Sequence, residues 1–133
     1  MQILGVDYGL KKLGFALGDS QTRLAEPLTV FRSDNEDQAI KKVIDLLKLT
    51  GASMVVVGLS EGKVARSARL FGEKISKRAG VRVDYFDETL TTYEAKSLAL
   101  KSGIKRKKRT NMEDAFAAAI ILQNYLESLG NDI

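Results

Sequence analysis

The residues of this chain with the chemistry to act on a substrate are acids placed at the ends of apolar runs. Asp7 closes the apolar segment Gln2–Asp7 and is followed by a turn at Gly9. A carboxylate at the tip of a central strand is costly to desolvate unless it is paired or binds a cation. A turn aspartate bonding its own backbone is the ordinary alternative for Asp-x-Gly. Asp114 shares a helical face with Ala117, Ala118, Ile121 and Tyr125, by spacings of three, four, seven and eleven residues. Glu113 already supplies the negative charge that a helix N-terminus favours, so a second, inward-facing acid asks for another explanation. Asp87-Glu88 follows the strand pattern Val81 to Phe86, and Glu61 stands just past Ser53 to Leu59. In an open α/β sheet these positions lie at the carboxyl ends of parallel strands, where ligand crevices form.

What such acids can do is narrowed by what is missing. The 133 residues contain no histidine and no cysteine. Serine–histidine–aspartate schemes, thiolate chemistry, disulfides and cysteine–zinc sites are therefore excluded. Carboxylates are hard oxygen donors suited to Mg²⁺ or Mn²⁺, and two such ions can clamp a phosphodiester for in-line attack by water. The charge distribution points to the same substrate class. Residues 1–61 hold 7 Lys/Arg against 8 Asp/Glu, whereas residues 62–133 hold 14 against 9. Six basic side chains fall between Lys101 and Arg109. A field of that sign attracts phosphates, although a solvated loop is the plain reading of any lone basic run.

The elements that must position these residues can be read from periodicity. Gln2–Asp7 and Leu13–Gly18 read as an antiparallel hairpin, and Leu24–Phe31 as a third strand in which Pro27 favours an edge. Asn35 to Leu49 has helical period and ends at Gly51; Ser53 to Leu59 is a continuous buried-strand pattern. A helix over about Lys63 to Ala79 precedes the strand Val81–Phe86. Thr91 with Glu94, and Thr110 with Glu113, fit capping boxes opening two further helices, to Lys101 and to about Leu129. Lys105–Arg109 is then a basic loop between them. The order β-β-β-α-β-α-β-α-α predicts an α/β protein with a five-stranded mixed sheet flanked by helices, a ribonuclease-H-like fold. With one proline and no Ser/Gly-rich linker, residues 1–133 read as a single domain.

Four segments carry a family resemblance: Asp7-Tyr8-Gly9-Leu10-Lys11-Lys12-Leu13-Gly14, Val56-Val57-Gly58-Leu59, Asp87-Glu88-Thr89-Leu90-Thr91-Thr92, and Asp114 through Ala118-Ala119-Ile120-Ile121-Leu122-Gln123. Together they resemble the YqgF/RuvX family of Holliday-junction-resolvase-like proteins, to which pre-16S ribosomal RNA nuclease activity is ascribed. The resemblance runs from Met1 to about Leu129. It implies a ribonuclease-H-like fold, a metal-dependent nuclease site and a role in maturing the 5′ end of small-subunit ribosomal RNA. Asp7, Glu88 and Asp114 match the family's catalytic acids, while Asp87 adjoins them. The family usually continues Gly-Leu-Pro into a longer loop, but this chain reads Gly58-Leu59-Ser60-Glu61-Gly62. That departure puts Glu61 near the acid of related resolvases, as a candidate fourth ligand.

The expectation is a nuclease for structured RNA using Mg²⁺ or Mn²⁺, with Lys11, Lys12 and the run Lys105, Arg106, Lys107, Lys108 and Arg109 on the phosphate backbone. Branched DNA offers the same phosphodiester and stays open as a substrate. So does a ribosome-assembly or transcription factor that binds nucleic acid without cutting it. A two-domain actin-type ATP-binding protein has the same hairpin but roughly twice the length or more. No apolar stretch approaches the ~20 residues that span a membrane, and the N-terminus does not read as a signal peptide. A cytoplasmic monomer or homodimer is expected.

Overall fold

A computed structural model describes residues 1–59, 63–87 and 106–130. Three strands open the chain, β1 (Gln2–Asp7), β2 (Lys12–Asp19) and β3 (Leu24–Arg32). They are followed by α1 (Glu36–Thr50), β4 (Met54–Leu59), α2 (Lys63–Ala79), β5 (Arg82–Asp87) and α3 (Arg106–Gly130). The sheet order is β3-β2-β1-β4-β5. The first three strands are antiparallel neighbours, whereas β4 runs parallel to both β1 and β5. This is the expected five-stranded mixed sheet. Pro27 lies on the edge strand β3, as a residue without an N–H donor should.

Local chemistry sets the element boundaries. Asn35 caps α1 by accepting from the Gln38 amide, and Gly51, at φ 74°, closes it with its N–H on the Leu47 carbonyl. The run Met54–Val57 is wholly buried because β4 is covered on both faces. On one face Leu4, Val6, Leu13, Phe15, Val55 and Val57 pack with the apolar stripes of α1 and α2. On the other, Ile3, Ala16, Met54 and Val56 pack against Ala118, Ile121, Leu122 and Leu126 of α3. The Gln123 side chain fastens α3 to the start of β3, accepting from the Ala25 amide and donating to the Arg23 carbonyl.

One expectation is corrected. The last helix begins at Arg106, not at a Thr110–Glu113 capping box, so Arg106 to Arg109 are helical backbone and not a loop. Arg and Lys are strong helix formers, and a capping box is a local option that a helix running through it overrides. The expected helix from Thr91 to Lys101 lies outside the described residues.

Candidate functional site

The face on which each acid lies follows from alternation along the strands. In β1, Leu4 and Val6 point toward α1 and α2, so Ile3, Gly5 and Asp7 point toward α3. Asp7 is the last residue of β1, with Gly14 of β2 on one side and Gly58 of β4 on the other. On β2 the same face carries Gly14, Ala16 and Gly18. A Cβ on Gly14 would lie 1.9 Å from the Asp114 carbonyl oxygen, and one on Gly18 would meet Leu122 and Leu126. The absence of side chains at Gly14 and Gly18 lets α3 settle onto the hairpin from Asp114 to Leu126. Asp114 is thereby brought over the end of β1.

Asp7 and Asp114 open into one cavity of about 250 Å³, lined also by Tyr8, Gly9, Leu10, Lys11 and Lys12. Lys12 donates to Asp114, with Nζ 3.0 Å from Oδ2; the two side chains are 42% and 25% exposed. Leu10 stands 64% exposed at the rim. It also borders a second, smaller cavity of about 130 Å³, whose walls include Tyr8, Ser33, Asp34, Asn35, Glu36 and Phe71. Tyr8, Gly9 and Leu10 line both cavities, with the Tyr8 ring 4.8 Å from that of Phe71. Burial, and then the charge of Glu36, hold the Tyr8 phenol above the usual tyrosine range, against the opposing pull of Lys74.

Of the acids read from the sequence, Asp7 and Asp114 are brought together. Glu61 and Glu88 lie outside the described residues, as does Lys105. Leu59 and Asp87 are register neighbours at the ends of β4 and β5, the same end of the sheet at which Asp7 closes β1. Two strand spacings, roughly 10 Å, separate the ends of β1 and β5. Among the described residues no three acids form a complete metal cage. The two carboxylates present are hard donors in an open cavity, and Asp114 already holds a cation in the form of the Lys12 ammonium. That donor set fits Mg²⁺ or Mn²⁺.

Sequence reasoning missed two features. Lys12, expected on phosphate, is paired with Asp114. A second is the row of small residues beneath α3, Gly14, Ala16 and Gly18 at period two along β2 with Gly5 beside them on β1.

Residues 1–128 match a protein family described as RuvX, Holliday junction resolvase. A protein of Anaeromyxobacter sp. (strain Fw109-5) is 38% identical over 133 residues, covering 96% of this chain and 97% of its own. One of Moorella thermoacetica is 35% identical over 138 residues, covering 99% of both. Both carry the provisional name pre-16S rRNA nuclease. Among solved structures, T. thermophilus RuvC in complex with a Holliday junction substrate superposes with a TM-score of 0.68 at 17% identity, over 99% of this chain and 97% of that one. The fowlpox virus resolvase with Holliday junction DNA gives 0.64 at 18% identity, over 97% and 99%. The fold is the ribonuclease-H-like one expected from the order of elements.

Proposed function

This chain belongs to the RuvX family of Holliday junction resolvases, and on that premise we propose that it is a divalent-metal-dependent endonuclease whose substrate is the 5′ end of pre-16S ribosomal RNA. The observation that carries this reading is the shared cavity: two acids on separate elements, Asp7 and Asp114, beside the two lysines Lys11 and Lys12. Asp7, Asp114 and Glu88 hold Mg²⁺ or Mn²⁺, with Glu61 as a fourth ligand. Bound there, such a cation supplies Lewis acidity to the phosphate and lowers the pKa of an attacking water. Asp7 is fixed at the end of the central strand, and Asp114 is held over it by the close seat of α3 on Gly14. Lys11, Lys12 and the basic run from Lys105 through Arg106, Lys107, Lys108 and Arg109 attract and hold the phosphate backbone. Single-domain organisation over residues 1–133 and a cytoplasmic location belong to this proposal. Among the described residues no helix is long and apolar enough to cross a membrane.

The test incubates pure protein with precursor ribosomal RNA, linear RNA and a four-way DNA junction, in Mg²⁺ and in Mn²⁺, beside an Asp7→Asn variant. Metal-dependent cutting of the precursor, lost in Asp7→Asn with binding retained, is expected. Cutting of the junction alone would move the substrate to branched DNA. Tight binding with no cleavage under either metal would replace the enzyme with a nucleic-acid-binding factor.

A further inference from the structure

The Lys12–Asp114 contact has a bearing on how the site is loaded. The ammonium is 3.0 Å from a carboxylate that the nuclease reading assigns to the metal, and both groups line the cavity that contains Asp7. An ammonium and a divalent cation seek the same lone pairs and repel each other at short range. Lys12 reaches Asp114 on a long side chain that is 42% exposed, so it can leave without disturbing the strand that carries it. We propose that Lys12 is a tethered cation that competes with the divalent metal for Asp114. When metal binds, the ammonium is released into the cavity, where the phosphate backbone is its next available partner. A negatively charged backbone arriving first draws Lys12 off Asp114 and raises the affinity for metal, so substrate and metal favour each other's binding. In the absence of nucleic acid, the pairing keeps the site poorly charged with metal while leaving Asp114 neutralised.

This inference rests on the nuclease reading, and the experiment separates the two. Mn²⁺ binding to the protein alone is measured by calorimetry for wild type, Lys12→Met, Lys12→Arg, Asp114→Asn, the Lys12→Met/Asp114→Asn double variant and Asp7→Asn. Lys12→Met should bind Mn²⁺ on the order of tenfold more tightly than wild type, from the loss of both the ion pair and the repulsion. Lys12→Arg, which keeps the charge, should stay near wild type. In the Asp114→Asn background the gain from Lys12→Met should shrink, because the contested carboxylate is gone and only the repulsion remains. Equal affinities for wild type and Lys12→Met, with Asp7→Asn still weakening binding, would overturn the competition and leave the metal site standing. An undiminished gain in the Asp114→Asn background would overturn it too, by showing a general charge effect. Absence of Mn²⁺ binding in every variant would remove the metal nuclease reading and this inference together.

Discussion

Two aspartates at the contact between the sheet and α3, one on a strand and one on the helix itself, are held in opposite ways. Asp84, on β5, accepts from the Tyr85 backbone amide at 2.9 Å and from the Tyr125 hydroxyl at 2.8 Å, with the Arg82 guanidinium 3.9 Å away. Asp114, near the other end of the helix, is paired with Lys12. Exposure does not distinguish their roles, since the Asp84 side chain is 40% exposed and that of Asp114 25%. Their partners do. A backbone amide and a phenol on a buried side chain are fixed by the sheet and the helix, whereas a half-exposed lysine can be exchanged for another cation. A carboxylate whose donors cannot leave serves the fold; one whose donor can leave is available for chemistry.

The largest expected effect sharpens that contrast. Asp114→Asn should lower cleavage by roughly a hundred- to a thousandfold, the range seen when one charge-stabilising group is lost from an active site. Its unfolding free energy should change by less than about 1 kcal/mol, because the pair it loses is partly solvated. Steady-state cleavage and a denaturant titration on the same preparation check both halves. A collapse of stability in step with activity would erase the distinction between the two acids.

Next in size is Gly14→Ala. The added methyl meets the backbone carbonyl of Asp114, which cannot turn aside as a side chain can, so either α3 or β2 must shift. A loss of about 1–3 kcal/mol in stability is expected, on the scale of overpacking in a core. Cleavage by the protein that remains folded should fall as well, since the shift moves Asp114 off Asp7. Asp84→Ala should do the reverse of Asp114→Asn. Losing two hydrogen bonds to a partly exposed carboxylate should cost about 1 kcal/mol, with cleavage by the folded protein unchanged.

Much of this architecture is legible before any coordinates. The uninterrupted Met54–Val57 run announces a strand covered on both faces, Pro27 marks an edge, and α2 spans Lys63–Ala79, the limits its periodicity predicts. Local signals fail where two are in competition. At Thr110–Glu113 a capping box suggests a start, but the strong helix formers before it carry α3 back to Arg106. The site divides along the same line. Asp7 and Asp114 are recognisable as acids out of place on apolar faces, a property each shows within its own segment. The Lys12–Asp114 pair depends on how closely α3 descends onto Gly14, and no spacing in the sequence encodes a distance between elements so far apart in the chain.

The smallest effect probes the fixed acid through its donor. Burial first, then the hydrogen bond to Asp84 and its negative charge, push the Tyr125 phenol up to about 12, with Arg82 pulling weakly the other way. The group is neutral when protonated, and its folded value lies above the ordinary value of 10.0 that it recovers on unfolding. Its contribution is therefore fully present below about pH 10. It is lost as pH climbs from there through about 12, because the unfolded chain releases the proton first. Between pH 8 and pH 10.5 wild type should lose about 0.8 kcal/mol relative to Tyr125→Phe, which has no proton to release at this position. Tyr8 and Tyr85, also raised chiefly by burial, titrate in both proteins and cancel in the difference. Denaturant midpoints of the two proteins at both pH values supply the measurement. A gap that stays constant would mean that the Tyr125 phenol is not held buried against Asp84 in solution, and the contrast with the exchangeable Lys12–Asp114 pair would lose its fixed member.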